Sequence, residues 1–127
     1  MFDTFKKYYV YKKLDDEQYK MTARDGFAFL NSNKCEELVE KKKITEKYLM
    51  EFMMSNNLLF RIYKLFYEEH EKRENDMLQN IYDYSKEHCY DKAIFTIGAG
   101  HRKSIMQKIR DYEKNEKFRL NWTFYTN

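Results

Sequence analysis

The chain has 127 residues, 43% hydrophobic, 18% aromatic and 35% charged, with no proline and only three glycines, which excludes a disordered chain and is enough for one domain to bury its own core. A formal net charge of +3 is too small to argue for nucleic acid or an anionic membrane. No apolar run approaches the ~18 residues of a membrane span; the opening MFDTFKKYYV lacks the apolar core of a signal peptide, and Cys35 and Cys89 have no CxxC spacing. Two free thiols in a reducing, cytoplasmic setting are the expectation.

Residues 1–56 read as short helices. Segment 2–13 is tyrosine-rich and ambiguous between helix and strand. LDDEQYKMTARDGFAFLNSN offers Asp15 or Asp16 as a cap, with Tyr19, Ala23, Phe27 and Leu30 at helical spacing. NSNK breaks the pattern, a short helix covers 34–43, and Thr45 caps another with Tyr48, Leu49, Phe52 and Met53 inward. Residues 57–89 read as one long helix whose inward stripe runs Ile62, Phe66, His70, Arg73, Met77, Ile81, Tyr84 and His88. Two of these, His70 and Arg73, are out of place in an apolar core. A buried arginine must be paired or hydrogen-bonded, so Arg73 either snorkels outward or points into a polar pocket.

After Tyr90 the pattern changes. AIFTIG is a β-branched run ended by glycine and reads as a strand buried on both faces; HRKSIMQKIRDYEKNEK places Ile105, Met106, Ile109 and Tyr112 at helical spacing; FRLNWTFY alternates apolar and polar. Residues 92–127 therefore read as a β-α-β unit with parallel strands, and the fold class as helix-rich α/β: a helical N-terminal two-thirds, then β-α-β. Two parallel strands covered on one side are too little sheet to stand alone, so 1–127 is expected to be a single domain, or part of a larger one, that gains strands from elsewhere.

The turn between the first strand and the last helix, GAGHRKS, holds two of the three glycines. Gly98 and Gly100 can take φ > 0 and let a group approach the backbone. Such a turn can hold an anion through free backbone N–H groups together with Arg102, Lys103 and Ser104, or it can aim His101 into a cleft as metal ligand or general base. It is neither a dinucleotide fingerprint, since position 103 is lysine, nor a Walker A loop. His88–Cys89 lacks further ligands, and the EKKK run at 40–43 reads as a solvated helix end. Residues 102–119 carry seven cations and three anions, which reads as a solvated face rather than a nucleic-acid surface.

RENDMLQNI (73–81) is similar to the Arg-Asp/Glu/Asn-x-x-Met/Trp helix pattern of the TIKI/TraB/erythromycin-esterase-like superfamily. AIFTIGAGHRKSI (93–105) resembles that superfamily's second Gly-x-x-His motif. The resemblance covers roughly residues 57–127. It implies a hydrolase-like α/β domain, whose relatives include metal-dependent peptidases and enzymes that open a macrolide lactone. His101 then matches the motif histidine, a metal ligand or catalytic base; Arg73 matches the helix arginine, and Glu74 takes the acidic or amide position. Met77 would be packing, and Asn80 matches the esterase-like variant. The family's first histidine motif lies in an N-terminal half that opens with a strand, and no such motif precedes residue 73 here. The resemblance thus implies the C-terminal part of such a domain, or a truncated descendant, whose missing ligands come from absent sequence or from a second copy. The implied chemistry is hydrolysis of an ester or amide in a small-molecule or peptide substrate, with water activated by a divalent metal or by His101, and no membrane partner. The alternative is a non-catalytic module that binds an anion at the turn or a protein at a sheet edge.

Overall fold

The computed structural model describes residues 1–53, 57–115 and 117–125. Among them lie α1 (Phe2–Phe5), α2 (Tyr9–Leu30), α3 (Asn33–Phe52), α4 (Asn57–Glu87), a 3₁₀ turn (Ala99–His101) and α5 (Arg102–Asn115). The chain divides into two compact units, Met1–Tyr67 and Glu68–Tyr125, with the division inside α4.

In the first unit, α2 and α3 form a helical hairpin around a short turn. Ser32 caps α3, its hydroxyl accepting from Cys35 N–H at 3.2 Å, a contribution of about 1 kcal/mol. Thr45 starts no new helix: its hydroxyl donates to the Lys41 carbonyl at 2.8 Å and α3 runs on through it. Gly26 breaks α2 with φ 55° and ψ −129°, a conformation that side chains with a Cβ resist.

The inward face of α2 is not the expected one. Tyr19 and Phe27 are 76% and 65% exposed and Ala23 is exposed, whereas Tyr11 and Phe29 are buried. Polar side chains occupy the seam instead, because they find partners on α3. Lys42 Nζ donates to Asp15 Oδ1 at 2.6 Å and to Gln18 Oε1 at 3.0 Å. Burial works against the Asp15 carboxylate, but the Lys42 bond and the Lys42 and Lys6 charges outweigh it and hold its pKa below the ordinary value. Glu46, buried at 4% exposure, accepts from Tyr11 Oη at 3.0 Å and from Tyr67 Oη at 2.5 Å. Burial first, then the Glu46 carboxylate, pushes both phenols upward, so both remain donors. Phe5, Tyr11 and Met50 pack beside this group. On α3, Leu49 and Met53 face partly inward as expected, whereas Tyr48 and Phe52 stand exposed.

The second unit contains no strand among the described residues, which corrects the α/β expectation: the β-α-β unit with parallel strands is not formed, and the described fold is all-helical. Segments 93–98 and 118–125 carry neither helix nor strand; the alternation of FRLNWTFY is kept in its burial, whereas AIFTIG is not buried on both faces, since Ile94 is 91% exposed. Phe95 and Ile97, and Phe118, Leu120, Trp122 and Phe124, are half-buried between exposed neighbours. Phe95, Ile97, Trp122 and Phe124 pack on a core of Leu78, Ile105 and Ile109. Each of these three residues is at most 3% exposed and contributes roughly 1.5–3 kcal/mol by burial. Alternation reports which side chains are buried; a strand also needs a backbone partner, and no ladder bond joins the two segments among the described residues. Side chains hold them instead, including Trp122 Nε1 donating to Tyr82 Oη at 3.2 Å.

On α5, Ile105 and Ile109 are buried and Met106 and Tyr112 half-buried, as the spacing predicts. On α4 the buried positions of this unit are Glu74, Leu78 and Tyr82. The expected stripe through Arg73, Met77 and Ile81 is thus displaced by one residue, about 100° around the axis.

Candidate functional site

Glu74 explains that displacement. A carboxylate is a poor candidate for a buried position, yet Glu74 is only 4% exposed because donors from α5 and the turn before it converge on it. His101 Nδ1 lies 2.7 Å from Glu74 Oε1, and Ser104 Oγ donates to Oε2 at 2.5 Å. Lys108 Nζ stands 3.5 Å from Oε2. His101, Ser104 and Lys108 follow i, i+3, i+7 spacing, which brings them to one face. His70, one turn before Glu74 on α4, stacks its ring on that of His101, with centroids 4.4 Å apart and planes within 14°.

Burial favours the neutral acid at Glu74. The Ser104 and His101 hydrogen bonds and the Lys108 and His101 charges together outweigh it and hold the carboxyl below its ordinary range. A carboxylate can only accept, so Nδ1 of His101 donates to it; in a neutral ring that leaves Nε2 as the basic nitrogen. The turn itself is closed by His101 N–H donating to Gly98 O at 2.9 Å.

His70, Glu74 and His101 each present a ligand atom, all within 4.8 Å of one another. Two ligands ~2.1 Å from one ion lie at most ~4.2 Å apart, so small side-chain adjustments suffice. Two imidazoles and one carboxylate are the donor set of catalytic zinc sites with an open fourth position, and the residues present fit such an ion.

The other expected site residues are placed differently. Arg73 is exposed and shares none of the bonds that hold His101, so the pocket contains His101, Glu74 and His70 without it. Ser104 gives its hydroxyl to Glu74 rather than to a free anion. Arg102 Nη2 donates to the Tyr125 carbonyl at 3.1 Å, and Lys103 is exposed. Neither Gly98 nor Gly100 has positive φ; Gly98 is extended at φ −60°, ψ 140°. A Cβ would meet only His101 Cδ2 at 3.8 Å from Gly98 and nothing within 4 Å from Gly100. The glycines are therefore not required by backbone conformation. Lys108 was not singled out from the sequence, although its i+7 spacing from His101 was there to read. It lines an open groove of about 260 Å³ together with Asn75, Asp111, Tyr112 and Asn115.

Compared with protein-family models, curated proteins and solved structures, the chain finds no match. No helix among the described residues is long and apolar enough to cross a membrane.

Proposed function

We propose that the second unit is a hydrolase-like module built around a divalent-metal centre of His70, Glu74 and His101, acting on an ester or amide. The observation that carries this reading is the convergence of two imidazoles and a buried carboxylate, their ligand atoms within 4.8 Å, from segments 27 residues or more apart along the chain. A bound ion would supply Lewis acidity at a carbonyl and acidify a water. The chain's own residues supply the rest. Ser104 holds the second oxygen of Glu74, which fixes the carboxylate's orientation and leaves Oε1 facing His101. The stacked His70 ring limits rotation of His101. In the metal-free chain, the basic Nε2 of His101 can accept a proton from a water or leave one at a departing group. The resemblance of RENDMLQNI and the Gly-x-x-His turn to hydrolase motifs supports the same chemistry.

Calorimetric titration with Zn²⁺ tests the reading. The wild type is expected to bind one ion per chain and gain thermal stability from it, by about 2.7 kcal/mol at a hundredfold excess over Kd. His101→Ala and His70→Ala should lose most of that gain. Absence of Zn²⁺ binding to the wild type, or equal binding by both alanine variants, would refute the centre.

A further inference from the structure

Lys108 touches the proposed centre directly. Its Nζ donates to Asn75 Oδ1 at 2.6 Å and to the Glu71 carbonyl at 3.2 Å, and lies 3.5 Å from Glu74 Oε2. Two of the ammonium's three donors are thus hydrogen-bonded to α4, and the Glu74 carboxylate stands at ion-pair distance. The charge is therefore fixed in place: swinging it away would abandon both hydrogen bonds, one of them short. The side chain is still 19% exposed and lines the groove together with Asp111, so a ligand can reach it.

A fixed positive charge has opposite effects on the two partners of a metal centre. It repels a bare divalent ion, and it attracts any anionic group that approaches that ion. We propose that Lys108 is a specificity-determining residue that makes the centre select substrates carrying an oxyanion, a carboxylate or a phosphate, beside the bond to be cleaved. This rests on the metal-centre reading above and extends it to a substrate class.

The test uses Co²⁺, whose visible absorption reports coordination, and inorganic phosphate as the oxyanion, on the whole chain. Wild type should bind Co²⁺, and phosphate should then perturb the spectrum saturably. Lys108→Met should bind Co²⁺ about tenfold more tightly and phosphate about tenfold more weakly, a coupling of ~1.4 kcal/mol in each direction. Lys108→Arg, which keeps the charge, should retain the wild-type order of both affinities, and circular dichroism checks that each variant is folded. If Lys108→Met leaves both constants unchanged, or weakens both, the inference is wrong while the centre stands. If phosphate never perturbs the wild-type Co²⁺ spectrum, the inference is equally wrong. If the wild type binds no Co²⁺, the centre itself fails and the inference with it.

Discussion

Replacing Glu74 by alanine removes the group around which the second unit's polar seam is arranged. Two short bonds end on it, from His101 at 2.7 Å and Ser104 at 2.5 Å, and the Lys108 contact at 3.5 Å is longer. Hydrogen bonds to a charged group are each worth about 1.5–3 kcal/mol, so the two short ones amount to roughly 3–6 kcal/mol before relaxation. His101 and Lys108, at 16% and 19% side-chain exposure, can recover water, which returns part of this. A net loss of about 3 kcal/mol is expected for Glu74→Ala. Glu74→Gln should lose only about 1–1.5 kcal/mol, because its amide can accept from Ser104 and donate to His101 once that ring takes the other tautomer. Urea unfolding followed by fluorescence reads this locally, since Trp122 is the sole tryptophan and packs in the Leu78–Ile105–Ile109 cluster. A Glu74→Ala variant within 0.5 kcal/mol of wild type would show that the network adds no net stability, and a glutamine variant as unstable as the alanine one would show that the amide does not replace the carboxylate's bonds.

Two further outcomes follow from the same geometry. The folded chain holds the Glu74 carboxyl below its ordinary value of 4.5, so near pH 4 the unfolded state binds more protons and stability rises with pH. That contribution is fully present above the ordinary value and is lost as pH falls through the depressed one; the Trp122-monitored stability should show this slope, and Glu74→Gln should flatten it. Glycine replacements sort by backbone: Gly98→Ala and Gly100→Ala should change stability by no more than ~0.5 kcal/mol, whereas Gly26→Ala, at φ 55°, should cost about 1 kcal/mol or more. Thermal melts of the three variants decide it, and a large loss at Gly98 would mean that the turn needs a conformation other than the one described.

The helices were readable from the chain because the absence of proline and the 3.6-residue recurrence of apolar side chains act locally. The extent of α4 and the inward residues Ile105 and Ile109 of α5 came directly from that spacing. The rotation of α2 and α4 did not, and for one reason. Hydrophobic periodicity assigns polar residues outward, but here the seams are lined by polar residues that satisfy one another: Asp15 and Gln18 on Lys42, Tyr11 and Tyr67 on Glu46, and His101 and Ser104 on Glu74. Each pair is separated by 21 residues or more, and nothing local in the sequence announces it.

The site divides along the same line. His101 was legible by residue type at its turn, Glu74 only as what the resemblance of RENDM implied, and His70 as an oddity on an apolar stripe. Arg73 looked equally eligible, and only the azimuth of α4 separates it from Glu74, buried next to it in sequence. The two C-terminal segments without helix or strand show the converse. In FRLNWTFY sequence alternation determined which side chains pack inward, because that depends on hydrophobicity, whereas the continuous apolar run AIFTIG concealed that Ile94 stands 91% exposed. Whether the two segments pair as strands depends on backbone groups finding partners across space, and that was decided only in the tertiary structure.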